Sequence, residues 1–438
     1  MTKDEIIAKY KQYLPSSVST YFAEPLVTDH ASMARLWDAD GKEYLDFFGG
    51  IVTISVGHAN PRVTKAIHAQ VDKLQHASTL FPNEQIAALA EKIAQLTPGG
   101  KITKSYFTNS GTEANETAVQ LARVSTGRFE IVALRHGYSG RSQLAQSLTG
   151  HNTWRKSLPS GFGVVHAMNP YCYRCPFGAT PDSCGLECAK DVEAVIQTST
   201  SGAIAGFLAE PIQGVGGFIT PPKEYFKVVF SIIKQYGGLY IDDEVQTGWG
   251  RTGKKWFGIE HWEVVPDIIT AAKSMGNGIP IGATLTTPEI AESFKGLQIS
   301  TFGGNPVTCA AARATIAIIE EDRLMDNAHE VGGYFRQGLE SLKQKYDLIG
   351  DVRGMGMMQG LELVKDRKSK EPAPQETNGV MEEARRQGLL IGKGGLWGTV
   401  IRMSPPMNIT KADVDEGIRK LDAAFAKVAK PMLAGANA

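Results

Sequence analysis

The order of apolar and polar positions divides the chain into three textures. Near the start it predicts a helix over residues 3–12, then short strands at 34–37 and 44–47 turned at Asp40-Gly41. From about residue 84, helix-period and strand-like runs alternate. Ile86, Leu89, Ile93 and Leu96 lie 3-4-3 apart, one face of a helix that stops at Pro98-Gly99-Gly100. Apolar strands follow at 104–108, 130–134, 164–167, 204–208, 239–242, 268–271 and 281–286, most of them separated by helices such as 226–236. Helices between successive apolar strands require right-handed crossovers, hence an α/β fold with a mostly parallel seven-stranded sheet covered on both faces. Beyond about residue 320 the texture is α+β. Strands are predicted at 356–363, 389–391 and 399–403, and a last helix carries Val414, Ile418, Leu421, Phe425 and Val428 on one face. The expected division is an N-terminal segment (1–75) packing with a small C-terminal α+β domain (316–438), around a large ligand-binding domain (76–315). Residues 365–374 are the segment expected to be mobile.

Composition narrows the function. Lys+Arg and Asp+Glu are equal at 46 each among 438 residues, which argues against a nucleic-acid or acidic-membrane surface. No run of eighteen apolar residues occurs, so no bilayer span is predicted. The opening residues lack a secretory pattern, and the cytoplasm is the expected compartment. Five cysteines do not make a disulfide scaffold. Four of them cluster as Cys172-x2-Cys175 and Cys184-x3-Cys188. That spacing suits either a closed tetrahedral zinc site or four unbridged structural thiols.

In a parallel sheet, ligands bind beyond the carboxyl ends of the strands, and the chemically suggestive residues fall there. Lys273 follows Ile268-Ile269 and precedes Gly276, Gly278 and Gly282. An apolar wall disfavours the charged amine, so such a lysine is either a nucleophile toward a carbonyl or a solvated lysine after a short strand. Asp243 stands thirty positions earlier (273 minus 243) at another strand end. Ser110 and Glu113 have capping-box spacing at a helix start, a place for a phosphate or simply an ordinary cap. Tyr138 ends a strand, suited to stacking on a planar ligand or to packing. Glu210 follows a fourth strand, and Ser300-Thr301-Phe-Gly-Gly-Asn-Pro306 is a turn-rich hydroxyl donor. Arg402, a lone cation in an apolar strand, requires a carboxylate partner. The absence of a Gly-Lys-Ser/Thr ending at residues 108–115, and of Gly-x-Gly-x-x-Gly after the first strand of the sheet, counts against nucleotide enzymes.

Ser110-Gly-Thr-Glu-Ala-Asn, Glu210-Pro-Ile-Gln-Gly, Asp243-Glu-Val-Gln-Thr-Gly, Ala-Lys273-Ser-Met-Gly-Asn-Gly and Thr301-Phe-Gly-Gly-Asn-Pro occur in an order that resembles the class III pyridoxal-phosphate aminotransferases. Within that group the chain looks most like the alanine–glyoxylate and ω-amino-acid enzymes, as in residues 47–58. The resemblance implies the type I fold of pyridoxal-phosphate enzymes and a Schiff base (imine) of pyridoxal 5′-phosphate on Lys273. It implies Asp243 at the pyridinium nitrogen, where a carboxylate keeps the ring an electron sink. Gln246 would reach the ring hydroxyl, and Val245 and Tyr138 would sandwich the ring. Ser110, Gly111 and Thr112 would hold the phosphate, joined by Thr301 of a neighbouring subunit in a homodimer or dimer of dimers. Arg402 would take the carboxylate of the amino donor or keto acid, with Glu210 as its gate when that carboxylate is missing. The implied reaction runs between alanine or an ω/β-amino acid and glyoxylate or pyruvate. 2-Oxoglutarate as acceptor, and racemase or phospho-lyase chemistry, are the alternatives. Two positions depart from the family: Ser139 where histidine is common, and Asp242 where a small apolar residue is frequent.

Overall fold

The computed structural model describes residues 1–18, 20–155 and 161–429. A capped helix, Lys3–Tyr13, leads to a small antiparallel sheet of β1 (Thr28–Ser32), β2 (Arg35–Asp38) and β3 (Glu43–Asp46). The large sheet follows as β4 (Lys104–Thr108), β5 (Ile131–Leu134), β6 (Val164–Ala167), β7 (Gly206–Ala209), β8 (Leu239–Asp243), β9 (Ile268–Ala271) and β10 (Gly282–Thr286). Its order is β4-β10-β9-β8-β7-β5-β6, and β10 alone runs antiparallel to its two neighbours. All seven strands expected from the apolar runs are present. β5, β7, β8 and β9 are almost wholly buried because helices cover both faces. The chain leaves β4 at one edge and re-enters near the other, so β5 and β7–β9 open their carboxyl ends onto one crevice.

Helix Gly111–Thr126 packs across β8, β9 and β10. Its buried side is small, with Ala114, Ala118, Leu121 and Ala122, so the helix lies close to the sheet and brings its N-terminus to the strand ends. Gly127 closes it in the left-handed conformation.

At the C-terminal end, β11 (Ile349–Met355), β12 (Met358–Asp366), β15 (Gly392–Gly394) and β16 (Val400–Met403) form an antiparallel sheet in the order β11-β12-β16-β15. The segment expected to be mobile instead folds back as a hairpin. β13 (Glu371–Pro372) pairs with β12, and Lys370 Nζ donates to the Tyr173 carbonyl at 2.6 Å. β14 (Leu389–Leu390) joins β3 in parallel, so the two ends of the chain share a sheet. Among the described residues no helix is long and apolar enough to cross a membrane.

Candidate active site

The strand ends meet in one cavity of about 300 Å³. Ser110, Gly111, Thr112, Tyr138, Glu210, Asp243, Val245, Gln246 and Lys273 all line it. These are nine of the eleven candidates outside the cysteine cluster. Lys273 has φ +45°, a left-handed backbone rarely adopted by a side-chain-bearing residue. Neighbouring bonds hold it there. Asn277 Oδ1 accepts from Ser55 N (2.9 Å) and Val56 N (3.0 Å), and the Ser55 hydroxyl donates to the Ser274 carbonyl at 2.8 Å. The apolar stretch 48–58 is therefore backbone wall for the lysine loop.

The electrostatics follow from burial. Lys273 faces the cavity, yet its amine sits deep in protein, and burial lowers it to about 8 against the pull of Glu210 and Asp243. Asp243 is 2% exposed, and burial raises its carboxyl to about 6. The Asn115 amide (2.8 Å to Oδ2) and the Val245 N–H (3.1 Å to Oδ1) oppose that rise. Glu210 is raised to about 8 by burial and then by Asp243. It accepts from Tyr138 N (3.0 Å) and Gly214 N (2.8 Å). Adjacent Asp242 points to the other face of the sheet, as strand alternation requires, and lies outside the cavity lining.

These residues fit pyridoxal phosphate. The helix start at Gly111 offers unpaired N–H groups, with Ser110 Oγ accepting from Glu113 N at 3.3 Å. A methyl on Gly111 would stand 2.8 Å from a Val245 methyl, and one on Gly140 would stand 2.3 Å from Thr112 Oγ1. Both glycines thus leave room for the cradle. Gln246 Oε1 is buried without a hydrogen-bond partner, as expected of a group awaiting a ring hydroxyl.

Arg402 and Thr301 lie outside this cavity lining. Arg402 is 3% exposed; its guanidinium donates to the Gly214 (3.1 Å) and Lys393 (3.2 Å) carbonyls and lies over Phe48 and Phe218. The direct Glu210–Arg402 pair expected of a gate is not formed: both Glu210 oxygens are taken by backbone N–H groups. Tyr21, from the N-terminal segment, stands near enough to Arg402 to oppose the lowering that burial imposes on its guanidinium. Thr301 is exposed. Sequence reasoning missed the parts played by Tyr21 and Asn115. No local pattern marks Tyr21, whereas Asn115 shares a helix face with Gly111 at i, i+4.

The zinc expectation for Cys172, Cys175, Cys184 and Cys188 is not supported. Among the described residues no three Cys, His, Asp or Glu side chains come together in a way that could hold a metal. The four thiols instead border a cavity of about 280 Å³ beside Pro170 and Pro222. All are unbridged, and burial followed by the neighbouring sulfurs pushes Cys188 up to about 12.

Comparison with known proteins gives a consistent picture. Residues 19–425 match the family model "Aminotransferase class-III". The chain is 43% identical to "Alanine–glyoxylate aminotransferase 2 homolog 2, mitochondrial" of Arabidopsis thaliana, over 97% of this chain and 88% of that protein. It is 40% identical to the "Leucine/methionine racemase" of Thermococcus litoralis, over 98% and 96% respectively. A solved amine transaminase from an uncultivated Pseudomonas species, in a PLP-bound form, superposes with a TM-score of 0.89. It is 32% identical, covering 95% of this chain and 98% of that one.

Proposed function

The chain belongs to the class III aminotransferases, and from that premise we propose that it moves an amino group from alanine or an ω- or β-amino acid to glyoxylate or pyruvate, with pyridoxal 5′-phosphate held on Lys273. Class III aminotransferases are pyridoxal-phosphate-dependent. The observation that carries the assignment is Lys273, its amine lowered to about 8, facing the same cavity as a buried, hydrogen-bonded Asp243 and an open helix N-terminus.

Gly111 and Thr112 N–H groups would hold the phosphate, Val245 and Tyr138 the ring faces, and Gln246 the ring hydroxyl. The bound cofactor supplies an aldehyde for the incoming amine and a ring that accepts the electron pair released at the substrate Cα. Asp243 keeps the proton at the ring nitrogen. Lys273 Nζ would take the proton from the substrate Cα and deliver it two bonds away, to the carbon that the cofactor's aldehyde supplies, a task that needs a neutral amine near working pH. Among the described residues no carboxylate forms an ion pair with Arg402, whose guanidinium would bind the substrate carboxylate. A small keto acid suits a cationic anchor bounded by Phe48 and Phe218. Thr301 reaches the phosphate of a second subunit, making the enzyme a homodimer or a dimer of dimers. Unpaired cysteines agree with a reducing compartment, and we assign the cytoplasm.

Racemisation is the second reading, favoured by the likeness to the Thermococcus enzyme. A matrix of donors and acceptors, 2-oxoglutarate included, tests both. Transamination requires a keto acid and yields its amino acid. Interconversion of enantiomers without any keto acid would establish the second reading instead.

A further inference from the structure

Asp243 has to stay charged and point one way while enclosed by protein, and its partners reveal how. Asn115 is 1% exposed on helix Gly111–Thr126, opposite the ends of β8 and β9. The Thr270 hydroxyl donates to Asn115 Oδ1 at 2.7 Å. Thr270 lies beside Asp243 in the parallel register of β8 and β9. With its oxygen engaged by a donor, the Asn115 amide can present only Nδ2 on the other side. That nitrogen gives one hydrogen to Asp243 Oδ2 (2.8 Å) and one to the Ser139 carbonyl (3.0 Å). Both hydrogens are used, and the orientation is settled by three partners from three elements.

Asp243 Oδ1 meanwhile accepts from Val245 N at 3.1 Å. Each carboxylate oxygen therefore has one neutral donor and keeps a further lone pair, and Asp243 lines the cavity. No ion pair joins Asp243 among the described residues. The charged groups that face it are Glu210 at the end of β7 and Lys273 after β9, while Asp242 and Glu244 flank it along the chain. Two of the cavity's carboxyl groups, Glu210 and Asp243, thus compete to stay neutral, and the donors decide which ionises.

We infer that Asn115 is the positioning residue of this site: a Thr270–Asn115–Asp243 hydrogen-bond chain fixes the direction of the Asp243 carboxylate and supports its charge. For the cofactor this rests on the proposed pyridoxal-phosphate site; for the apoprotein it does not, so the two can fail separately.

The test uses Asn115→Leu and Thr270→Val. The latter is an isostere that frees the Asn115 amide without touching Asp243. Asp243 has a folded value above its unfolded one, so its burial contributes stability that is full below the unfolded carboxylate value and lost as pH rises through about 6. Removing the Asn115 donor raises the folded value further. Glu210, Asp242 and Glu244 are raised in both proteins and cancel in a comparison. The Tm deficit of apo Asn115→Leu relative to wild type should therefore widen over about one pH unit above about pH 6 and then stay constant, with a smaller widening for Thr270→Val. With cofactor added, the pyridoxal-phosphate dissociation constant should rise roughly tenfold to hundredfold in Asn115→Leu. The pH at which the bound cofactor's visible absorbance changes should move as well. If Asn115→Leu does not fold, Thr270→Val decides alone. Apoprotein curves that overlay wild type overturn the inference. Shifted apoprotein curves in a protein whose wild type never binds pyridoxal phosphate would support the Asn115–Asp243 coupling and overturn the cofactor reading.

Discussion

Burial sets the proton affinities of the groups on which this site depends. With Lys273 near 8, about one amine in ten is neutral at pH 7, a far larger share than for an exposed lysine near 10.4. The rate at which apoprotein captures pyridoxal phosphate should therefore climb with pH through a midpoint near 8. Stopped-flow absorbance measures it, and a midpoint above 10 would show an ordinary solvated lysine. Lys273→Ala should lower kcat by about a thousandfold or more, with no cofactor trapped on the chain by borohydride. Asp242 makes a separate case. It is fully buried, neither oxygen meets a donor, and burial followed by Glu244 pushes it well above the usual carboxylate range. A raised folded value means stability held while the acid is protonated and lost as pH rises. Asp242→Asn removes that loss, so its Tm advantage over wild type should widen by several degrees between about pH 5 and pH 8.

The elements explain why some of this could be read in advance. Helix Gly111–Thr126 has glycine at both ends for different reasons. At Gly111 a methyl would collide with Val245, the residue that walls the cavity, whereas at Gly127 (φ +67°) nothing lies within 4 Å and only the left-handed backbone asks for glycine. Gly111→Ala should weaken cofactor binding about tenfold or more. Gly127→Ala should cost about 1 kcal/mol of stability and leave binding unchanged. Equilibrium dialysis and denaturant titration separate the two. Strands β5 and β7–β9 were legible because a parallel strand buried on both faces has to be apolar along nearly its whole length. β11, with Gly350, Asp351, Arg353 and Gly354, and β15, with Gly-Lys-Gly, carry no such signature. Pairing with β12 and β16 makes them strands. The site divides along the same line. Strand-end residues such as Asp243 and Lys273 announce themselves by position, whereas Asn115 meets Asp243 across 128 positions and Thr270 across 155. The cysteine spacing brings the four thiols to one cavity, but among the described residues no three ligating side chains are arranged to hold a metal.

At the scale of the whole molecule, the proposed role of Thr301 calls for a second chain. Thr301 is exposed and outside the cavity lining, in a segment whose apolar side chains are poorly covered: Leu297 is 94% and Phe302 59% exposed. Asn305 Nδ2 donates to the Gln75 carbonyl at 2.9 Å, and Phe302 packs near His76. Leu80 (64%) and Phe81 (67%), a few residues further along, are equally bare. Exposed apolar side chains gathered in two neighbouring segments suit cover by another chain, and in the proposed dimer each Thr301 would serve the other copy's cavity. The proposed homodimer makes a quantitative prediction. Lys273→Ala and Thr301→Ala dimers should each be impaired, the first nearly inactive. Unfolding and refolding an equal mixture gives about half heterodimers, each with one intact site and one doubly damaged site. The mixture should therefore recover about a quarter of wild-type sites, beyond what the Thr301→Ala homodimers contribute. If Thr301 served its own subunit, every heterodimer site would carry one lesion or the other, and the mixture would show only the average of the two variants.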